Sequence, residues 1–176
     1  GDATVMIDCG NTYNLSDAGD LAAAYLHCCG RDRIDLLVLT HLHEDHADGV
    51  PRLMEMYDIE TLILPEERGD ALYEEIIDSA ARHATEVITA KSDMTVTCGD
   101  IGMELYAYLN GEENERCLMS RLTIGSYDVL VTADAPEKLE KRLVKEHDTD
   151  GTETLIVGHH GSKYSSGEEL LGAVDG

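Results

Sequence analysis

The segment "HLHEDH" places three histidines and two acidic residues within six positions, from His41 to His46. Four of these residues have the spacing H-x-H-x-D-H, which chance rarely produces in a chain of this composition. Imidazole nitrogens and carboxylate oxygens are typical ligands of Zn²⁺ and also bind Mn²⁺. Residues two apart at a strand end point the same way, so His41 and His43 suit one cation. Asp45 and His46 follow the turn and suit a second cation, so the segment predicts a metal site rather than a capped loop.

Two further strand ends carry groups of the same kind. Asp134 ends the apolar segment "YDVLVTAD", and His159 and His160 follow "TLIVG". A carboxylate at the end of an apolar strand is costly unless positive charge lies opposite. Strand ends at one edge of a sheet are also where α/β folds gather functional groups. We therefore add these three residues to the candidate ligands, over the alternative that Asp134 only caps a helix.

These groups are placed by a pattern in which strands and helices alternate. The segments "ATVMID", "IDLLVLT" and "TLILP" predict strands, with helices at "DAGDLAAAYLHCC" and over residues 66–84. After "EVITA", four short strands separated by tight turns predict an antiparallel sheet. A helix at "PEKLEKRLVKEH" and a strand, loop and helix in "TLIVGHHGSKYSSGEELL" follow. We expect a layered α/β fold in one domain, residues 1–176.

The long helices have apolar residues three or four positions apart, which predict the side that packs on the core. They are Leu21, Tyr25 and Cys28 in the first helix, Leu72, Ile76, Ala80 and His83 in the second, and Leu139 and Leu143 in the third. We expect His27 and His83 to pack rather than to bind metal. The five cysteines are odd in number and form no CxxC pair, which predicts buried thiols without disulfides.

The composition is strongly acidic, with 36 acidic against 13 basic residues and a formal net charge of −23. This charge repels polyanions at long range and disfavours a general nucleic-acid-binding surface. No apolar run approaches the ~18 residues of a membrane span, and "GDATVMIDCG" lacks the features of a signal peptide. We expect a soluble domain, either cytoplasmic or part of a larger membrane protein. The sequence does not predict its oligomeric state.

The cluster after an apolar strand, then a strand-end Asp and a strand-end His, resembles the metallo-β-lactamase superfamily. The blocks "LVLTHLHEDHADGV", "NERCLMSRLTIGSYDVLVTAD" and "LIVGHHGSKYSSGEELL" are most similar to the hydrolase domain of ComEC-type DNA-uptake (competence) proteins. The resemblance implies an αββα sandwich with two divalent ions, Zn or Mn, between the sheets. The family usually has further elements before "GDATV" and after "GAVDG", so we expect a domain truncated at both ends.

The resemblance also implies a ligand set. His41 and His43 would hold the first ion, with no third histidine except His83 in the interval where many members have one. The second ion would be held by Asp45, His46 and one of the pair His159 and His160, and Asp134 would bridge the two ions. The histidine of this pair that does not bind metal is the candidate general acid. His160 is thus a candidate for both roles, metal ligand and general acid.

Three more residues receive roles by the same resemblance. Asn114 stands where the subgroup keeps a polar contact to substrate or water. Ser162 and Lys163, directly after the histidine pair, are candidate phosphate contacts, with ordinary loop chemistry as the alternative. Asp45, already a candidate ligand, would in addition orient the attacking water.

The expected function is a dinuclear metal-dependent hydrolase that cleaves phosphodiesters, single-stranded DNA among them, with metal-activated water. A DNA substrate would need a local positive path made by Lys163, Arg116 and Arg121. The first alternative is hydrolysis of a small ester, lactam or phosphocholine-like substrate, which needs no such path. The second is a non-catalytic metal-binding interaction domain.

Overall fold

The structure, a computed structural model, describes residues 3–11, 16–111 and 116–174. The chain divides into two compact units, residues 1–90 and 91–176. Each unit has one sheet and its own helices, so the predicted α/β class is confirmed. None of the described helices is long and apolar enough to cross a membrane.

The first unit has a parallel sheet of four strands in the order β1-β2-β3-β4. The strands are β1 (Val5–Ile7), β2 (Arg33–Val38), β3 (Asp58–Pro65) and β4 (Glu86–Ala90). The helices are α1 (Ala18–Cys28), α2 (Glu44–Ala47), α3 (Val50–Met54) and α4 (Ala71–His83). The central strands are nearly continuous apolar runs because both of their faces are buried.

Side-chain caps define where the two long helices of this unit begin. The Asp17 carboxylate accepts a hydrogen bond from the Gly19 N–H at 2.8 Å. The Asp70 carboxylate accepts one from the Tyr73 N–H at 2.9 Å. These bonds satisfy amide groups that have no partner inside the helix. At its other end, α4 stops at Ala84, which has a left-handed backbone with φ 58°.

The predicted buried side of α1 is wrong. Leu21 and Tyr25 are 54% and 71% exposed, and Cys28 is also exposed. The buried side consists of Ala18, Gly19, Ala23 and Leu26, most of which are small. These small residues let the helix pack closely on α3.

The predicted buried side of α4 is correct at Ile76 and Ala80, but not at its C-terminal end. His83 is exposed, and Tyr73 is buried one position from the expected Leu72, which is half-buried. His27 at the end of α1 is exposed as well, so the expectation that it packs is wrong. The histidines at these two helix ends lie outside the core.

The cysteines are only partly as predicted. All five thiols are free, and Cys9 and Cys117 are buried. Cys98 is half-buried, whereas Cys28 and Cys29 are exposed at the end of α1. The expectation of five buried thiols is therefore wrong for the pair on α1.

The second unit has a sheet of five strands in the order β5-β6-β7-β8-β9. The strands are β5 (Met94–Cys98), β6 (Ile101–Tyr108), β7 (Cys117–Ile124), β8 (Tyr127–Val131) and β9 (Thr154–Ile156). The pairs from β5 to β8 are antiparallel, as predicted, and β9 lies parallel to β8. The chain then makes a 3₁₀ turn at His159–Gly161.

Two helices pack on this second sheet, α5 (Glu137–Glu146) and α6 (Glu168–Val174). Leu139 and Leu143 are fully buried, which confirms the predicted inner side of α5. They belong to a core that also includes Leu130 of β8 and Leu170 of α6. The helix α5 joins the end of β8 to β9, so it lies between the two segments that carry Asp134 and the histidine pair.

Candidate metal centre

The first histidine group follows β2 directly. His41 and His46 are 2% and 7% exposed, while His43 and Asp45 are half-buried. The short helix α2 begins at Glu44, so the chain turns sharply within the group. The His41 ring lies 4.5 Å from the His43 ring and 4.0 Å from the His46 ring, measured between centroids. Four ligand-type side chains are thus gathered in one turn at the end of a buried strand.

His41 and His43 have the spacing of two ligands of one ion. The His41 Nε2 and His43 Nδ1 atoms are 3.1 Å apart. Two nitrogens bound to one tetrahedral zinc ion at about 2.05 Å each would lie about 3.3 Å apart. Asp45 and His46 also present ligand atoms within 4.8 Å of each other. The predicted pairing of these four residues is therefore compatible with the geometry.

Asp8, at the end of β1, organises this group through both of its carboxylate oxygens. Oδ1 accepts a hydrogen bond from the Thr40 N–H at 2.7 Å. Oδ2 accepts one from the Thr40 hydroxyl at 2.7 Å and lies 2.7 Å from Nδ1 of His46. Asp8 itself has a left-handed backbone, with φ 59°. Asp8 was not among the site residues predicted from the sequence.

The hydrogen bonds of Asp8 select the tautomers of two histidines. Because the carboxylate accepts from His46 Nδ1, the proton of neutral His46 lies there and Nε2 keeps its lone pair. The Thr40 hydroxyl gives its only proton to Asp8, so its 2.9 Å contact with His41 Nδ1 makes that nitrogen the donor. His41 Nε2 therefore keeps its lone pair as well. A ligand needs these lone pairs, so the donor set fits a divalent metal ion.

Gly10 allows the segment after Asp8 to lie against the histidine turn. A Cβ atom at this position would collide with the backbone of Glu44, Asp45 and His46. The Cys9 N–H donates to the His46 carbonyl oxygen at 2.7 Å, and the Gly49 N–H donates to the Cys9 carbonyl oxygen at 2.9 Å. The turn that carries the candidate ligands is thus fixed on both sides by backbone contacts.

The second group lies in the other unit, at the ends of β8 and β9. Asp134 is 4% exposed, three residues beyond β8, and follows Ala133, which has φ 52°. The His159 Nε2 atom is 3.6 Å from Asp134 Oδ2. His160 and Asp134 offer ligand atoms within 4.8 Å of each other. The predicted Asp134 and histidine pair are therefore neighbours in space.

The histidine pair has an unusual backbone. His159 and His160 both have left-handed φ values, 50° and 52°. Non-glycine residues in this region cost about 1–3 kcal/mol each, and such strain is concentrated at functional sites. The His159 N–H donates to the Ala133 carbonyl oxygen at 2.9 Å. Gly158 permits this approach, because a Cβ atom there would lie 3.0 Å from the Thr132 hydroxyl oxygen.

The candidate substrate contacts have a mixed outcome. Asn114 lies outside the described residues. The Ser162 hydroxyl oxygen accepts a hydrogen bond from the Tyr164 N–H at 3.3 Å, a contact of ordinary loop chemistry. Lys163 is exposed, and its ammonium group lies 4.9 Å from the Tyr164 ring centroid.

Arg121, on β7, is held by Asp128 of β8 and by the loop before β9 rather than presented to a substrate. Its guanidinium donates to Asp128 Oδ2 at 2.7 Å and to the carbonyl oxygens of Asp148 and Asp150 at 2.8 and 3.0 Å. Hydrogen bonds from Thr123 and from Arg121 lower the pKa of the Asp128 carboxyl, so this pair stays charged. The expected positive path therefore loses one of its three residues.

Two curated relatives match nearly the whole chain. It is 22% identical to ComE operon protein 3 of Bacillus subtilis (strain 168) over 183 residues, 95% of the chain and 24% of that protein. It is 28% identical to competence protein ComA of Neisseria gonorrhoeae over 178 residues, 97% of the chain and 24% of that protein. The chain thus spans about a quarter of the length of these relatives, and the predicted resemblance to competence proteins is confirmed.

Solved structures agree on the fold. CmlA, a diiron β-hydroxylase of Streptomyces venezuelae, matches with a TM-score of 0.54 and 19% identity over 72% of the chain and 26% of that protein. At this identity the likeness shows the fold alone. The family model described as metallo-beta-lactamase superfamily matches residues 1–175, which include both histidine groups. The chain therefore belongs to the metallo-β-lactamase superfamily.

Proposed function

We propose that the two units act as one domain in which the two histidine groups together hold two divalent metal ions. His41 and His43 would hold the first ion, and Asp45, His46 and His160 would hold the second. Asp134 would be a ligand common to both groups. The observation that carries the proposal is the arrangement around Asp8, which puts the ring protons of neutral His41 and His46 on Nδ1 and so makes Nε2 the coordinating type of nitrogen in each ring. The family match across both units supports the joint site.

We further propose that the domain is a hydrolase that cleaves phosphodiesters. Divalent ions at such a site supply Lewis acidity and lower the pKa of a bound water toward about 7. Asp45 accepts a hydrogen bond from the attacking water and orients it. His159 would carry the proton for the leaving group, and its Nε2 atom, 3.6 Å from Asp134 Oδ2, lies beside the proposed site. In this proposal, His160 is the metal ligand of the histidine pair and His159 is its general acid.

The phosphodiester assignment is supported by the resemblance to ComEC-type DNA-uptake proteins, and the matches to ComE operon protein 3 and to competence protein ComA agree with that resemblance. A single-stranded nucleic acid is the corresponding substrate. Zn²⁺ and Mn²⁺ are the metals that the imidazole and carboxylate donors favour. CmlA is named as a diiron β-hydroxylase, so Fe²⁺ is included among the metals to be tested.

A small uncharged or singly charged substrate is the second candidate. The net charge of −23 opposes the approach of a long polyanion, and Arg121 is already engaged by Asp128 and two carbonyl groups. An ester, a lactam or a phosphocholine-like compound would not meet this barrier. Only direct comparison of substrates separates the two candidates.

Turnover of two model compounds provides that test. Bis-p-nitrophenyl phosphate and p-nitrophenyl acetate would be compared with protein reconstituted in Zn²⁺, Mn²⁺ or Fe²⁺. The proposal predicts phosphodiester turnover that falls about 100-fold or more in Asp134→Asn, since a lost ligand should cost at least as much as a lost ligand-orienting group. The matched control is Asp78→Asn, an exposed carboxylate on α4, which should turn over like wild type. Turnover of the acetate alone would reject the phosphodiester assignment in favour of the small-substrate alternative.

A further inference from the structure

Glu140 is a buried acid on the inner side of α5. Its side chain is only 1% exposed and lies between the buried Leu139 and Leu143 along the helix. A charged carboxylate removed from water is costly unless other groups replace its hydration. The sequence pattern did not predict that the acid at this position is buried. The groups that replace water around its carboxylate must therefore be identified.

Two backbone amides compensate the Glu140 carboxylate. Oε1 accepts a hydrogen bond from the Ser166 N–H at 2.7 Å, and Oε2 accepts one from the Gly167 N–H at 2.9 Å. Within the described ranges, Glu140 forms no ion pair with a lysine, arginine or histidine. Bonds from amides to a carboxylate are stronger than bonds between neutral groups. The carboxylate therefore holds two consecutive residues of another segment.

That segment is the histidine loop, which we define as residues 158–167. It begins at Gly158, carries His159 and His160, and ends at Gly167 just before α6. Ser166 has a left-handed backbone, with φ 57°. Its hydroxyl oxygen accepts a hydrogen bond from the Gly158 N–H at 3.2 Å. Ser166 therefore links Glu140 to Gly158, the residue directly before the histidine pair, by one hydrogen bond to each.

The same loop is attached to the segment that carries Asp134. The His159 N–H donates to the Ala133 carbonyl oxygen at 2.9 Å. The Ser165 hydroxyl donates to the Ala135 carbonyl oxygen at 2.8 Å. The loop is therefore held at one side by the two residues that flank Asp134 and at the other side by Glu140. A strained backbone persists in one conformation only when the surrounding structure holds it, and these contacts surround the histidine pair.

We propose that Glu140 is a positioning residue that fixes the histidine loop and so sets where the His159 and His160 imidazoles lie relative to Asp134. The role in metal binding rests on the proposed function, whereas the role in positioning does not. Among the described residues, the hydrogen bonds of Glu140 go to the backbone of Ser166 and Gly167 and not to either imidazole, so it would act through that backbone.

A purely structural role is the alternative. The Gly167 carbonyl oxygen accepts from the Leu171 N–H at 3.0 Å, so Glu140 lies beside the first turn of α6 and could serve only to anchor that helix. In that case its loss would lower stability and leave the imidazoles unchanged. The positioning role predicts a change at the imidazoles themselves.

The test compares Glu140→Gln with wild type in metal-free protein. The amide keeps one acceptor but turns an N–H₂ group toward a backbone N–H, so one of the two bonds is lost without a change of shape. Imidazole ¹H–¹⁵N spectra should show shifted or split signals for His159 and His160 and unchanged signals for His41 and His46. Glu146→Gln, an exposed position on the same helix, is the control and should move none of them. Unchanged His159 and His160 signals in Glu140→Gln would overturn the proposal.

Zinc affinity, measured by competition with a chelator, is the second measurement. Groups that orient metal ligands typically change affinity 10- to 100-fold, and we expect a loss of about 10-fold in Glu140→Gln. Wild-type affinity in Glu140→Gln would reject the metal role of Glu140 even if the imidazole signals move. Absence of zinc binding by wild type would reject the proposed function, while the spectra still decide the positioning role. Should Glu140→Gln not fold, Glu140→Asp, which keeps the charge but shortens the reach, should give the same changes in the spectra.

Discussion

At the scale of single residues, the histidine cluster can be predicted from the sequence, whereas the role of Asp8 cannot be read from its local sequence. The residue types and spacing from His41 to His46 are local, so the sequence alone is enough to predict a candidate metal site there. Asp8 lies 32 and 38 positions from its partners Thr40 and His46. The signal that could have found it is the parallel pairing of β1 with β2, which brings Ile7 beside Val38 and the next residues to the same edge.

Replacing Asp8 with Asn tests this arrangement. The Asn side chain has one acceptor oxygen and one NH₂ donor, so it cannot accept all the hydrogen bonds that Asp8 accepts from Thr40 and His46. The ring protons of His41 and His46 would then no longer be held on Nδ1. We expect zinc affinity to fall about 10- to 100-fold and the free energy of unfolding to fall by about 1–3 kcal/mol. Chelator competition and urea unfolding measure the two quantities. Asp20→Asn, which removes an exposed pair with Arg52, should change neither by much, and unaltered affinity in Asp8→Asn would contradict the role of Asp8.

Thiol reactivity is a second prediction at this scale. Burial, followed by the negative charges of Asp17, Asp48 and Asp8, raises the pKa of the Cys9 thiol to about 12. At pH 8 this thiol is almost wholly protonated in the native state and unreactive, because the thiolate is the nucleophile. Cys28 and Cys29 are exposed and should react first with Ellman's reagent. The fast phase should disappear in the Cys28→Ser, Cys29→Ser double variant; a fast phase that survives would show that the thiols on α1 are not the accessible ones.

At the scale of elements, the contact of α1 with α3 explains why a predicted helix face was wrong. The search for large apolar residues selected Leu21 and Tyr25, but the packed side is built from small ones. A Cβ atom at Gly19 would lie 2.5 Å from the Gly49 carbonyl oxygen and 2.7 Å from the Leu53 nitrogen. The close approach of two helices requires such small residues. Glycine has no apolar side chain, so a search for apolar periodicity does not find it.

Gly19→Ala tests that contact. The added methyl group meets backbone atoms that cannot move independently, so the helices must separate. We expect the free energy of unfolding to fall by about 1–3 kcal/mol in urea. Gly172→Ala in α6 is the control, since nothing lies within 4 Å of its added Cβ, and it should raise stability by up to about 1 kcal/mol. Equal stability of the two variants would contradict the close packing of α1.

The elements themselves were largely predictable. The parallel strands of the first unit and the antiparallel strands of the second follow from runs of apolar residues and from turn signals. The parallel pairing of β9 with β8 was not predicted, because it depends on the crossover through α5 rather than on a local turn. Glu140 escaped prediction for the same reason, since its partners Ser166 and Gly167 are 26 and 27 positions away.

At the scale of the whole molecule, the net charge of −23 is the feature that any function must accommodate. Such a charge raises the energy of an approaching polyanion, and salt screens this repulsion over about 10 Å at 0.1 M. A small substrate experiences much less of this field than an oligonucleotide does. The charge therefore predicts different salt dependences for the two candidate substrate classes.

Salt dependence of kcat/KM gives the corresponding measurement. For a single-stranded oligonucleotide, kcat/KM should rise several-fold between about 10 and 150 mM salt as repulsion is screened. For bis-p-nitrophenyl phosphate it should change little over this range. An oligonucleotide rate that falls steeply with salt would instead indicate a positively charged path, and would contradict the view that the acidic surface opposes nucleic acid.

The metal content of the purified chain tests the central claim most directly. Inductively coupled plasma mass spectrometry of protein equilibrated with Zn²⁺ or Mn²⁺ and then freed of unbound ions counts the ions per chain. The proposed joint site predicts about two equivalents in wild type and the loss of at least one in Asp134→Asn. Less than about half an equivalent in wild type, or full occupancy in Asp134→Asn, would contradict it.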